Sequence, residues 1–418
     1  MCGPNVTDMD TTYSDCYNLT GSPVCGDKVI NMGGTYYQCN NLTGNPVCGP
    51  NVTGMGSTYY YCENLTGSPV CGNKTTYMFR TYYRCHNITG FPVCGPNVTN
   101  MYGTYESCYK LTGNPVCGPN VTCMDRTYYY CPNLTGNPVC GPNVTDMDTT
   151  YCDCSNLTGS PVCGNKVTSM RNTYWDCRNL TGNPVCGPNV INMHSTYHNC
   201  YNLTGNPVCG NNVTSMINTY YQCNNLTGNP ACGANVTNML FTYYKCLNLK
   251  GSPVCGENVI CMDSTYFSCH NLTGSPTCGN KVQTLFAAYA NCYNLTGSPV
   301  CGNNVTIMYQ CYDNCYKLSG VPVFGSNVKN IGCAYRNCTN LSGGNIYIQS
   351  NNISYVLNCF YGKNNSRKYN IHVPANSTTF NTMIINNSKS LVGANIVWTN
   401  NRTCWYNTKY NIYIYPDL

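Results

Sequence analysis

The stretch Val29-Ile-Asn-Met32-Gly-Gly-Thr-Tyr36-Tyr-Gln-Cys39-Asn-Asn-Leu42-Thr-Gly-Asn-Pro46-Val-Cys48-Gly49 recurs with small changes along most of the chain. Cys25, Cys48, Cys71, Cys94, Cys117 and Cys140 mark a period of 23 residues that continues to Cys301, and a second cysteine column runs from Cys16 through Cys39 and Cys62 to Cys338. A fixed period of this length is the mark of stacked repeats, and about fifteen copies fit the chain. Val29, Met32, Tyr36, Cys39 and Leu42 fall at i, i+3, i+7, i+10 and i+13, one stripe of a helical turn. The following Thr43–Gly49, bounded by glycines, reads as a brief strand and a turn. One such unit is too small to bury its own stripe, so each copy must wall in the next. The expected fold class is therefore a repeat solenoid, right-handed and α/β, with a short parallel strand plus a helical turn per 23-residue repeat. At about 4.8 Å per turn, fifteen turns would make a rod of about 70 Å. A proline column from Pro23 to Pro322 removes one ladder donor from nearly every copy, so the hydrogen-bonded stretch must be short.

The array occupies residues 1–343, and its last copies decay, with Phe324 in place of cysteine and Ile331 in place of methionine. Atypical end copies are what a capped array requires, and residues 344–418 read as a β-rich C-terminal capping module. Cys2 already stands in repeat phase, so the chain starts inside a repeat: either an upstream part precedes it, or another chain covers that first turn.

Val98-Thr99-Asn100-Met101, then Tyr105, Cys108 and Leu111, resembles the BspA-type leucine-rich repeats of bacterial surface proteins. The resemblance covers roughly residues 2–343 and makes the expected solenoid leucine-rich-repeat-like. It extends to the tail, where Tyr369–Ser377 followed by Phe380 and Met383 looks like the strand, proline turn and helix that often close such arrays, with Asn376 or Ser377 as the helix cap. Tyrosine stands where that family usually has phenylalanine, and Gly-x-Pro-Val-Cys-Gly where it has a more apolar strand. The resemblance implies an adhesin of gut bacteria or of the tailed phages that infect them, located on the cell surface or the virion. Host attachment through a surface protein or glycan is the function it implies, and in a phage the first turn would be covered by another virion component.

Composition excludes several other classes. Charged residues make up 9% of the chain, against roughly a quarter in average domains. Of the formal net charge of +6, the tail carries +5, from Lys363, Arg367, Lys368, Lys389, Arg402 and Lys409 against Asp417. The repeats thus lack the basic stripe that nucleic acid demands. No apolar run approaches the ~20 residues of a membrane-spanning helix, and neither a signal peptide nor membrane insertion is expected. With 15 acidic residues and 5 histidines, paired acid and base groups are in short supply, so no enzyme and no cofactor is expected.

Gly67–Thr75 approaches a phosphate-binding loop but carries an extra Asn73 before Lys74. His194 and His198 stand at i, i+4 without a third ligand beside them, and the close pairs Cys152/Cys154 and Cys311/Cys315 interrupt the repeat rather than build it, so no metal site is expected. Inward cysteines of the Cys16 column read as a buried thiol ladder. The Cys25 column is open: alternation from Leu19 points it inward, pairing with an inward Val24 points it outward. A continuous disulfide ladder would be strained, because parallel stacking holds Cβ atoms near 5 Å rather than about 3.8 Å. The recurring Asn-x-Thr triplets, such as Asn5-Val6-Thr7, have a core residue in the middle. Their Asn and Thr are expected to bond to nearby backbone in turns.

The candidate binding residues are aromatic. The column after the inward tyrosine holds Tyr37, Tyr60, Tyr83, Tyr129, Trp175, Tyr221, Tyr244 and Phe267, while other copies carry Ser14, Glu106, Cys152 and His198 there. This column leaves the core stripe, and exposed tyrosine offers contact area at low entropic cost. The expectation is an exposed aromatic stripe that contacts the ligand. The competing expectation is a passive structural stalk or decoration protein, in which the rings shield the seam between copies.

Overall fold

Between Met32 and Cys39 the main chain divides its hydrogen bonds in alternation. The amides of Met32, Gly34, Tyr36 and Gln38 donate to the carbonyls of Gly54, Gly56, Thr58 and Tyr60 in the following copy, at 2.7–2.9 Å. The amides of Thr35, Tyr37 and Cys39 turn back three residues, to Met32, Gly34 and Tyr36, at 3.1–3.2 Å. One set of peptides ties copy to copy and the other closes tight turns, so the polar backbone is satisfied without a helix. An α-helix would send each amide to the carbonyl four residues back. The expected helical turn is thus corrected to a run of turns. Every fourth residue is left-handed, as at Gly34 (φ 55), Gln38 (φ 57), Ser57 (φ 54) and Tyr61 (φ 61). A backbone that repeats every four residues brings Met32 and Tyr36 to the same side, and so imitates a helical stripe.

The computed structural model describes residues 3–362, 369–374, 378–379, 396–398, 405–407 and 412–415. The chain forms two compact units, Met1–Gly205 and Asn206–Leu418. Within the first, single-residue parallel bridges join Asp8 to Asn31, Asn31 to Gly54 and so on to Asn192. Within the second they run from Ser215 to Tyr355. This ladder lies in the segment read as helical, while Thr43–Gly49, read as the strand, forms none. The position of the expected strand is corrected accordingly.

Tyrosine replaces the missing ladder beside the proline. Tyr59 Oη donates to the Val47 carbonyl at 2.8 Å and accepts from the Val47 amide at 2.9 Å. The same pair of bonds joins Tyr36 to Val24 and Tyr82 to Val70. One hydroxyl therefore satisfies both polar groups of a residue whose proline neighbour has no amide hydrogen. Phenylalanine could not do this, which explains why tyrosine occupies the column.

The core of a copy consists of Val52, Met55, Tyr59, Cys62 and Leu65, all wholly buried. The rings of Tyr36, Tyr59 and Tyr82 stack at 5.5–5.6 Å between centroids, within the favourable range for aromatic pairs. Thr58 is buried too, its Oγ1 donating to the Met32 carbonyl at 2.8 Å. Cys62 Sγ donates to the Tyr36 carbonyl at 3.0 Å, so the inner thiols take part in the copy-to-copy network. In the other cysteine column, Cys48 and Cys71 are half-buried and each bonds the following glycine carbonyl at 3.6 Å. The described cysteines are all free thiols.

The Asn-x-Thr triplets also reach across copies rather than closing local turns. Asn51 Nδ2 donates to the Asp27 carbonyl at 2.9 Å, Asn64 Nδ2 to Asn40 at 2.9 Å and Thr53 Oγ1 to Ile30 at 3.2 Å.

In the second unit the copy-to-copy bonds continue past Gly343. Ile331, Cys333, Tyr335 and Asn337 donate to Tyr355, Leu357, Cys359 and Tyr361, and Phe360 stacks on Tyr335 at 5.9 Å. The strands β1 (Gly344–Tyr347), β2 (Tyr369–His372), β3 (Ile396–Trp398), β4 (Trp405–Asn407) and β5 (Ile412–Tyr415) form a sheet ordered β1-β2-β5-β4-β3. Its β1–β2 and β2–β5 pairs are parallel, the other two antiparallel. The expected strand before Pro374 is β2, whereas the capping residues Asn376 and Ser377 lie outside the described residues. Among the described residues no helix is long and apolar enough to cross a membrane.

Candidate binding surface

The aromatic column lies one residue beyond the buried tyrosines, at the edge of the core, and its eight members are half-buried rather than exposed. Within Met1–Gly205, Tyr60 lies between Tyr37 and Tyr83, with ring centroids 4.6 Å apart on both sides and planes within 8° of parallel. Within Asn206–Leu418, Tyr221, Tyr244 and Phe267 stack at 4.6 and 4.9 Å. The faces of the middle rings are thus occupied by their neighbours, leaving edges and hydroxyls to meet a ligand. Tyr129 and Trp175 stand apart from these rows because Glu106 and Cys152 interrupt the column; Trp175 stacks on His198 at 4.0 Å.

Arginines complete the surface. The Arg80 guanidinium lies 5.3 Å from the centroids of Phe79, Tyr83 and Tyr102, and that of Arg84 lies 4.9 Å from Tyr61 and 5.6 Å from Tyr83. These are cation–π distances. Arg126 lies 5.8 Å from Tyr129 and 3.6 Å from the Glu106 carboxylate. Glu106 is 4% exposed, and burial raises its carboxyl above the usual range against the opposing pull of Arg126, Arg80 and Arg84. Burial likewise raises the Tyr83 phenol, and pushes that of Tyr60 up to about 12. Both rings stay neutral hydrogen-bonding groups across physiological pH.

The surface is therefore a cationic aromatic patch: three arginines and one buried acid around Tyr60, Tyr83 and Tyr129. Such a patch suits acidic or hydroxyl-rich ligands. Column reading picked out the ring positions but missed Arg80, Arg84, Phe79 and Tyr102. Each belongs to a column that differs from copy to copy, and the fold brings Phe79, Tyr83 and Tyr102 together around the Arg80 guanidinium.

His198 is pushed down to about 4 by burial, and His194 is lowered for the same reason. Among the described residues no group of three or more His, Cys, Asp or Glu side chains is placed to hold a metal ion. No protein-family model, curated protein or solved structure matches the chain.

Proposed function

We propose that the chain is a non-enzymatic adhesion or receptor-binding protein, carried on a bacterial surface or a phage virion, that presents its repeats to a host protein or glycan. The BspA-like repeat motivates this reading, and with it we propose that the stacked copies wind as a right-handed solenoid. One observation carries the binding function. Buried columns such as Tyr36, Tyr59 and Tyr82 are held constant, whereas the adjoining half-exposed column and its arginines vary from copy to copy. A spacer needs no such variation.

A second reading, the passive stalk, draws on the close stacking of Tyr37, Tyr60 and Tyr83, which shields the seam between copies. Binding of labelled protein to a panel of intact bacterial cells separates the two. Saturable binding that the Arg80→Gln/Arg84→Gln double variant loses, with its melting temperature kept, supports the surface. The absence of saturable binding across the panel supports the stalk.

A further inference from the structure

A cavity of about 470 Å³ opens on the first unit beside Tyr109, Tyr130, Asp153, Ser155, Asp176 and Arg178. Its origin can be read from the repeat. The column that holds Tyr17, Glu63, His86, Tyr109, Arg178 and Tyr201 carries Pro132 and Ser155 in two consecutive copies. Those two short side chains leave a gap between the Tyr109 ring at one end and the Arg178 side chain at the other. Tyr130, 46% exposed, stands edge-on to Tyr109 at 5.3 Å, so two aromatic surfaces meet at a right angle beside the gap.

The polar groups lie along the adjoining column. Asp153 and Asp176 occupy equivalent positions in neighbouring copies, both on left-handed backbone, at φ 61 and φ 57. Asp176 is fixed by the Trp175 indole at 3.1 Å, the Asn199 amide at 2.9 Å and Arg178 at 3.5 Å. Asp153 accepts from Cys152 Sγ at 3.5 Å. Rings that offer an apolar surface, beside anchored carboxylates, a hydroxyl and a guanidinium, match the two sides of a sugar. Its C–H face is apolar, and its ring edge carries hydroxyls that donate to carboxylates and accept from arginine. The volume lies within the range of small-ligand sites and is ample for one or two such rings.

We infer that this cavity is a pyranose-binding site, with Tyr109 and Tyr130 packing against the sugar and Asp153, Asp176, Ser155 and Arg178 taking its hydroxyls. None of these residues belongs to the aromatic rows, so the site stands or falls independently of the surface proposed above.

Saturation-transfer NMR on the full chain tests it, with a panel of methyl glucoside, galactoside, mannoside and N-acetylglucosaminide and with Nα-acetyl-lysine methylamide as a cationic control. The expected result is binding of at least one glycoside with Kd about 1 mM, the weak end of the affinity scale. Ser155→Tyr should weaken that binding at least about tenfold, which is about 1.4 kcal/mol, because it closes the gap with a side chain its column already accepts at Tyr109 and Tyr201. Tyr130→Ala, at an exposed position, should weaken binding as well, while Tyr316→Ala, at a similarly exposed position of the second unit, should leave it unchanged. No glycoside binding up to about 20 mM, well beyond that expected Kd, would overturn the inference. So would binding of the lysine derivative alone, or glycoside binding that Ser155→Tyr leaves intact.

Discussion

Tyr59 closes two hydrogen bonds on the single residue Val47, accepting from its amide at 2.9 Å and donating to its carbonyl at 2.8 Å. Pro46 stands immediately before Val47, so the segment cannot run as a regular ladder, and the phenol does the work of a paired strand. Removing that oxygen and nothing else tests the account. Tyr59→Phe keeps the stacked ring but leaves the amide and carbonyl of half-buried Val47 unpaired, each costing up to about 1–3 kcal/mol. The expected loss, measured by urea denaturation, is about 2–5 kcal/mol for the unit. A loss below about 0.5 kcal/mol, the level of an ordinary surface change, would mean water reaches Val47 and the hydroxyl has no structural role.

The two cysteine columns should differ in reactivity. Burial raises the Cys62 and Cys108 thiols well above their ordinary value, and pushes Cys94 up to about 11 and Cys117 up to about 12. The thiolate is the nucleophile, so native protein at pH 8 should alkylate slowly in both columns, and slowest in the inner one. Cys16 is exposed and should be labelled ahead of Cys39 and Cys62. Peptide mass spectrometry after a timed iodoacetamide pulse reads the order. Equal labelling of Cys16 and Cys62 would contradict the burial, and disulfide-linked peptides from unreduced protein would show that the columns are not free thiols in the folded chain.

The acidic cluster of the first unit should make stability fall as pH rises. Burial, then the charges of Asp146 and Asp148, push Asp125 up to about 6 from its ordinary value near 3.8. A group whose folded-state value is raised adds stability below its unfolded value and loses that contribution as pH rises through the folded one. Asp125→Asn removes the penalty of ionisation, so the variant should melt above the parent at pH 7.5 and show no such gain at pH 3.5. A gain of equal size at both pH values would assign the effect to something other than the carboxylate's charge.

The period, the inward set Val29, Met32, Tyr36, Cys39 and Leu42, and the stacking of copies were legible from spacing alone. The apolar buried columns follow from a repeat that cannot bury itself, whereas the buried threonine column at Thr35, Thr58 and Thr81 lay outside that set. The local backbone was not legible, because a four-residue run of turns and a 3.6-residue helix place Met32 and Tyr36 on the same side. The left-handed positions could have separated the two, but they are held by Gln38, Tyr61 and Arg84 as well as by Gly34, and so carry little composition signal. A change of spacing hid the additional copy at Ile353–Tyr361. Its Val356 and Phe360 stand 25 residues after Ile331 and Tyr335 rather than 23, with β1 in between. At the candidate surface, the ring column was visible as a variable aromatic position. Of the three rings around Arg80, Phe79 and Tyr102 share one column, 23 residues apart, and Tyr83 belongs to another, but both columns vary from copy to copy and neither marks the guanidinium between them.

A glycine column shows how tightly the copies are registered. Gly67 is left-handed (φ +83), and a Cβ built there collides with the Asn45 side chain of the preceding copy. Gly136 stands in the same relation to Asn114, at φ +81. Two costs therefore fall on Gly67→Ala: about 1–2 kcal/mol for placing an L side chain in that backbone region, and the displacement of an exposed asparagine. The pairing separates them. Gly67→Ala alone should lower stability by about 2–3 kcal/mol, since overpacking adds about 1 kcal/mol or more. In the Gly67→Ala/Asn45→Gly double variant the collision is gone and the backbone cost remains, so part of the loss should return. Asn45→Gly alone, at an exposed turn position, should cost no more than about 0.5 kcal/mol. If the double variant is as unstable as the two single losses added together, the side-chain collision plays no part and the copies are not held in the register that their hydrogen bonds describe.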